Sequence, residues 1–155
     1  MPEECYYGLR NLLESGAREA ADRIVARLPL PDIFFSARFC VREAAMLLHL
    51  CRLLDLPLPV SSGELADWLR SCQNGDGGFG FYPHTTSFIE NTHAALEALA
   101  LLGAGPLHPQ RAFDYLIGCR TACGGFGRGS RTAPFLDATW HGVAGLSLAA
   151  GFLSA

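Results

Sequence analysis

Apolar positions recur at helical spacing along the chain, and the stretches that carry them are separated by glycine clusters. Leu65, Leu69 and Cys72, with Trp68 between them, form the stripe of one helix. Ser61, Ser62 or Gly63 caps its start, and Glu64 sits in its first turn. Asn74-Gly75-Asp76-Gly77-Gly78 must end it, because glycine readily takes left-handed angles and weakens a helix. A loop runs to Ile89. Asn91 or Glu90 then opens an alanine- and leucine-rich helix from Thr92 to Leu102, which Gly103 ends and Pro106 keeps from resuming. The same order follows again. Pro109 to Arg120 reads as a helix and Gly124-Gly125-Phe126-Gly127 as the turn. Asp137 caps a last helix from about Ala138 to the C-terminus.

The two stretches are copies. Asp67 to Gly80 returns as Asp114 to Gly127, 47 residues on, and the offset holds without a gap through Phe88/Phe135, Glu90/Asp137, Thr92/Thr139 and Leu101/Leu148. A fixed period of this size marks stacked supersecondary units, each relying on its neighbours to cover an apolar face. A degenerate unit comes first. Ala21-Asp22-Arg23-Ile24-Val25 resembles Ala66-Asp67-Trp68-Leu69-Arg70, but no GGFG follows, and Pro29 and Pro31 make the turn. A long helix is expected from about Phe35 to Leu54. The predicted fold is all-α: one domain over 1–155, with repeats at about 1–58, 59–105 and 106–155. That makes three helical hairpins, so six helices and essentially no strand.

Bulk properties narrow the function. Half of the residues are hydrophobic and 17% are charged. So apolar a chain is expected to cover part of its surface with a partner or a ligand. A net charge of −3 offers nothing to nucleic acid. No apolar run reaches the ~18–20 residues of a membrane span. The acidic opening Met1-Pro2-Glu3-Glu4 is unlike a secretory signal. Six cysteines, at 5, 40, 51, 72, 119 and 123, form no C-x-x-C pair. They read as free thiols packing as small hydrophobes, which suits a reducing cytoplasm.

The motif Gln73-x3-Gly77-x-Phe79, repeated through Asp76-Gly77-Gly78-Phe79-Gly80 and Gly124-Gly125-Phe126-Gly127, resembles the α/α-toroid repeats of the prenyltransferase β-subunit and squalene–hopene (terpene) cyclase superfamily. The resemblance covers about residues 60–155 well and 18–57 weakly. It implies two concentric layers of helices, the helix after each GGFG turn lying inside. Gln73, Gly77, Gly78, Phe79, Gly80, Gly124, Gly125, Phe126 and Gly127 are then scaffold. A glutamine at a helix end can bond free carbonyls there or meet the next helix start. Full toroids of the family carry about twice the helices counted here. The chain therefore resembles half a toroid, which a homodimer closing a twelve-helix ring, or a partner subunit, would complete.

Protein prenyltransferases of this kind hold zinc with an Asp and a Cys two residues apart plus a distant His. Here Asp137-Ala138-Thr139 has threonine where the thiolate belongs, and a hydroxyl is a poor zinc ligand. No cofactor or metal is expected, although His141 lies one turn beyond Asp137, and His93 with Glu90 and Glu97 makes a similar set. The D-x-D-D motif of class II cyclases is also missing, so a transferase or cyclase reaction by the family's own means lacks its residues. A binding surface remains. Arg128 and Arg131 flank Gly129-Ser130 and can hold a diphosphate; a solvated loop is the plainer reading. Trp140 and its repeat mate His93 face the lumen in the family. With Phe88 and Phe135, and with Asp137 and His141 nearby, they are candidates to wall an isoprenoid pocket; interhelical packing is the plainer alternative. His49, His84 and His108 suggest surface or loop roles. The reading is an isoprenoid-binding half-toroid, against a noncatalytic scaffold for protein–protein interaction.

Overall fold

The computed structural model describes residues 2–27 and 39–154, with side chains from Tyr7 onward. It contains seven helices among the described residues: α1 Pro2–Glu14, α2 Arg18–Val25, α3 Val41–Leu54, α4 Ser62–Ser71, α5 Ile89–Leu101, α6 Pro109–Gly118 and α7 Leu136–Leu153. There is no strand among them, only isolated bridges such as Gln73–Phe79 and Arg120–Phe126 that pin the glycine loops. The expected all-α architecture is what folds. Among the described residues the helix count is one higher than the hairpin reading, because α1 stands ahead of α2.

The helices form two layers. α1 packs on α3, α3 on α5 and α5 on α7, giving an inner row. Behind it, α2 packs on α1, α4 on α5, and α6 on both α5 and α7. The main core lies between the layers, where Leu65, Leu69, Phe79, Ile89, Leu96, Leu99 and Leu116 are buried. A smaller cluster of Leu9, Ala21, Leu50 and Leu54 joins α1 and α2 to α3.

Helix starts follow the local chemistry. Ser61 caps α4: its hydroxyl accepts from the Glu64 N–H at 3.1 Å, and the Glu64 carboxylate returns to the Ser61 hydroxyl at 2.7 Å. Inner helices open earlier than the carboxylates suggest. Phe88 and Phe135, both in extended conformation, precede α5 and α7. Asp137 thus lies inside the first turn, taking the Ala138 N–H at 2.8 Å. The helix expected from Phe35 begins at Val41, after an extended Cys40 whose N–H meets the Glu43 carboxylate at 2.9 Å. Residues 35–38 and the Pro29/Pro31 turn lie outside the described residues.

The repeated motif binds one unit to the next. Gln73 donates to the carbonyls of Gly77 and His108 at 3.1 and 3.2 Å, and its oxygen accepts from the His108 N–H at 3.0 Å. It therefore joins the end of α4 to the start of α6. Buried Phe79 gives its N–H to the Thr92 hydroxyl at 3.0 Å, and Phe126 does the same with Thr139, also at 3.0 Å. Gly77, at φ +91°, turns its Cα against the Arg111 carbonyl of α6, where a Cβ would collide. A second tie joins inner helix starts to the following loop: the Val41 N–H meets the Phe81 carbonyl at 3.1 Å, and the Ile89 N–H meets that of Arg128 at 2.9 Å.

The cysteines split by environment. Cys51, Cys72 and Cys119 are buried and Cys40 half-buried; burial pushes the thiols of Cys72 and Cys119 up to about 11. Cys123 departs from the buried expectation. It is exposed in the third unit's turn, where a hydrogen bond with the Thr121 hydroxyl lowers its thiol. The Cys5 side chain lies outside the described residues. No described helix is long and apolar enough to cross a membrane.

Candidate functional site: the inner-helix groove

The four inner helices line one open groove of about 1090 Å³. α1 contributes Tyr7, Arg10, Leu13 and Glu14, and α3 contributes Arg42, Ala45, Met46, His49, Arg52 and Leu53. α5 contributes Glu90, His93, Ala94 and Glu97, and α7 contributes Asp137, Trp140 and His141. The two walls differ in sign. Arg10, Arg42 and Arg52 stand with Glu14, which pairs with Arg10 at 2.7 Å, on α1 and α3, and the carboxylates Glu90, Glu97 and Asp137 on α5 and α7.

At the α5–α7 wall, the Nδ1 atoms of His93 and His141 lie 3.0 Å apart, so one ring donates to the other. Burial holds both imidazoles below the usual range, His93 down to about 4. Two neutral rings that share one proton follow at pH 7. Trp140 stands nearly perpendicular to both, with ring centroids 5.0 Å from His93 and 4.8 Å from His141. Deeper along the wall, His49 Nε2 meets Glu97 Oε1 at 3.1 Å, and this hydrogen bond lowers the Glu97 carboxyl. Glu90 is buried. Its Oε1 pairs with Arg128 at 2.5 Å, while Oε2 has no hydrogen-bond partner. A buried oxygen without a partner is costly unless a ligand or water supplies a donor.

Of the residues singled out by sequence, His93, Asp137, Trp140 and His141 meet in this groove. Four others stand elsewhere. Arg128 is drawn to Glu90 and lies over the Phe88 ring, 5.5 Å from its centroid, so it ties two units together. Arg131 takes a left-handed φ of 64° on an exposed loop. Phe88 packs on Phe81 with centroids 5.8 Å apart, and Phe135 is exposed at the start of α7. His49, read from sequence as a surface or loop residue, is a groove residue paired with Glu97. His108 works through its backbone, held by Gln73.

The whole α3 wall was missed by sequence reading. The groove positions of α3 match those of α5 at an offset of 48: Arg42 with Glu90, Met46 with Ala94, His49 with Glu97. The one-residue change of period hides them from an alignment held at 47.

The residues do not fit the zinc site of protein prenyltransferases. The Thr139 hydroxyl is consumed by two hydrogen bonds, accepting from Phe126 N–H and donating to the Phe135 carbonyl at 2.7 Å. Among the described residues, no three His, Cys, Asp or Glu side chains are grouped to hold a metal.

The family model of the prenyltransferase alpha-alpha toroid domain matches residues 18–113. The chain belongs to this family. The match runs from the start of α2 into α6, so it takes in the degenerate first unit, where the sequence resemblance was weak. The third unit is tied to it by the 47-residue repeat and by the paired Thr92–Phe79 and Thr139–Phe126 bonds.

Proposed function

We propose that the inner-helix groove binds an isoprenoid, as a prenyl diphosphate or a related lipid, and that the chain does so as a dimer or as a subunit of a transferase or cyclase complex. The observation that supports this is the union, in one elongated groove, of Leu13, Met46, Leu53 and Trp140 with a one-sided set of arginines. An amphiphile fits such a surface. Its tail gains about 0.8 kcal/mol for each methylene taken from water. Its anionic head belongs at the α1–α3 wall, by Arg42 and Arg52, because the opposite wall carries carboxylates. This moves the head group away from Arg128 and Arg131.

Tryptophan fluorescence tests the reading. The chain has two tryptophans, and Trp68 lies outside the groove beside Phe39, so Trp68→Phe leaves Trp140 as reporter. Titration with farnesyl or geranylgeranyl diphosphate should give a saturable change in the micromolar range. Arg42→Ala with Arg52→Ala should weaken the diphosphates more than the matching alcohols, since only the former make charge-assisted bonds. Trp140→Ala, read by calorimetry, should weaken both alike. No saturable change with either chain length would leave the second reading, a noncatalytic scaffold for another protein. The uncovered face of α7 is the observation that favours that alternative.

A further inference from the structure

Two positions of the inner helices face the groove in every unit. Ala45, His93 and Trp140 occupy one, and Met46, Ala94 and His141 the next; all six line it. The lining therefore follows the register of α3, α5 and α7 and does not depend on α7 being open on its far side. His93 takes the first position on α5 and His141 the second on α7, and the packing of these two helices brings their rings together.

That contact fixes what the pair can offer a ligand. A neutral imidazole carries one ring proton, so it donates from one nitrogen and accepts at the other. Burial keeps both rings neutral at pH 7. The Nδ1–Nδ1 distance of 3.0 Å then requires one ring to be protonated at Nδ1 and the other to be bare there. The ring that donates through Nδ1 has a bare Nε2, and the ring that accepts has an Nε2–H. Whichever ring donates, the pair is left with one donor and one acceptor. Neither Nε2 has a hydrogen-bond partner among the described residues, and neither is shut off from solvent.

The surroundings select the group that fits. An anion is opposed by Glu90, Glu97 and Asp137 on the same wall. A cation finds these carboxylates engaged, Glu90 with Arg128, Glu97 with His49 and Asp137 with the Ala138 N–H. A hydroxyl carries no charge, and it both donates and accepts.

We propose that the His93–His141 pair is a subsite for a hydroxyl, so that the groove takes a prenyl alcohol with its oxygen at this pair. The hydroxyl donates to the bare Nε2 and accepts from the Nε2–H, directly or through one bridging water. This subsite lies on the α5–α7 wall, apart from the arginines of α1 and α3 where a diphosphate head belongs. The inference rests on the isoprenoid reading above and adds the neutral head group that this wall selects. The matching methyl ether separates the two, because it keeps the tail and the accepting oxygen and loses only the proton to donate.

Calorimetric titration of the full chain with farnesol and with farnesyl methyl ether tests the proposal and needs no variant. The alcohol should bind about tenfold more tightly, since the ether leaves the bare Nε2 covered and unpaired. In His141→Phe, checked for an unchanged helical circular dichroism spectrum, the preference should shrink to less than about twofold, because no donor–acceptor pair remains. The same variant should change the affinity for farnesyl diphosphate by less than about twofold, as the charge-assisted contacts of that head lie on the opposite wall. Equal binding of alcohol and ether by the unaltered chain overturns the proposal and leaves the isoprenoid reading standing. So does a His141→Phe variant that loses the diphosphate as strongly as the alcohol, since the pair is then a wall for the tail and not a subsite. No binding of any of the three compounds overturns both.

Discussion

The second and third units share a sequence pattern and differ in what lies next to them. α5 is enclosed: α3, α4, α6 and α7 all touch it, and Glu90, Asn91, Thr92 and His93 are buried together at its start. α7 packs mainly on α5 and α6 among the described helices and exposes Leu136, Trp140 and Val143. The same motif therefore has two energetic meanings. In unit two it is an interior joint, where Gly77 and Gln73 are held against Arg111 and His108 of the neighbouring unit. In unit three the local bonds persist, as Phe126–Thr139 repeats Phe79–Thr92, while Leu136, Trp140 and Val143, the mates of buried Ile89, His93 and Leu96, are exposed. Repeat stability of this kind is a sum of unit terms and interface terms, and the two units separate them.

The widest separation is expected at the glycines. Gly77 and Gly124 have the same φ of +91°, yet a Cβ at Gly77 would strike the Arg111 carbonyl and one at Gly124 meets nothing within 4 Å. Gly77→Ala should cost on the order of 4 kcal/mol, combining left-handed strain with a main-chain collision. Gly124→Ala should cost about 1 kcal/mol, the strain alone. Urea unfolding of the two variants measures this, and equal losses would break the comparison. Next in size are the helix-start residues. Ile89→Ala empties a fully buried site and should cost about 3 kcal/mol, while Leu136→Ala, at an almost bare position, should change the monomer by less than about 0.5 kcal/mol.

What the sequence makes legible is what repeats by identity. The GGFG turns, the outer and inner helices of units two and three, and the scaffold role of Phe79 follow from residues that recur at 47, whereas Gln73, whose mate is Arg120, is legible from the family motif. α1 is not legible, because its buried or half-buried leucines Leu9, Leu12 and Leu13 have no mate in the repeat. The groove is half legible. His93, Asp137, Trp140 and His141 sit at repeat positions, whereas Arg42, His49 and Arg52 are displaced by the 48-residue step. Arg128 was assigned to a ligand because two guanidiniums in a loop suit a diphosphate. The burial of Glu90, 38 residues earlier in sequence, claims it instead, and nothing local announces that contact.

The smallest expected effect concerns the repeat mates His93 and Trp140, one titratable and one not. Around His93 stand Glu97 of its own helix, His141 of α7 and His49 of α3; Glu97 favours its charged form, and the histidines and above all burial oppose it. The net result holds His93 at about 4, below the ordinary histidine value of 6.5, so the folded chain takes up a proton here less readily than the unfolded chain. The unfolded state therefore binds more protons between these two values, and stability must fall as pH falls through that window. The contribution is fully present above pH 6.5 and exhausted below about 4. We expect a loss on the order of 2 kcal/mol at this site, with His141 adding in the same direction. Thermal unfolding followed at pH 7, 6, 5 and 4 measures it. His93→Gln should flatten the acid limb. His84→Gln, on an exposed loop, should leave it unchanged. An acid limb of equal steepness in both variants would place the titration outside the His93–His141 pair, and the contrast between the enclosed and open units would then owe nothing to buried imidazole.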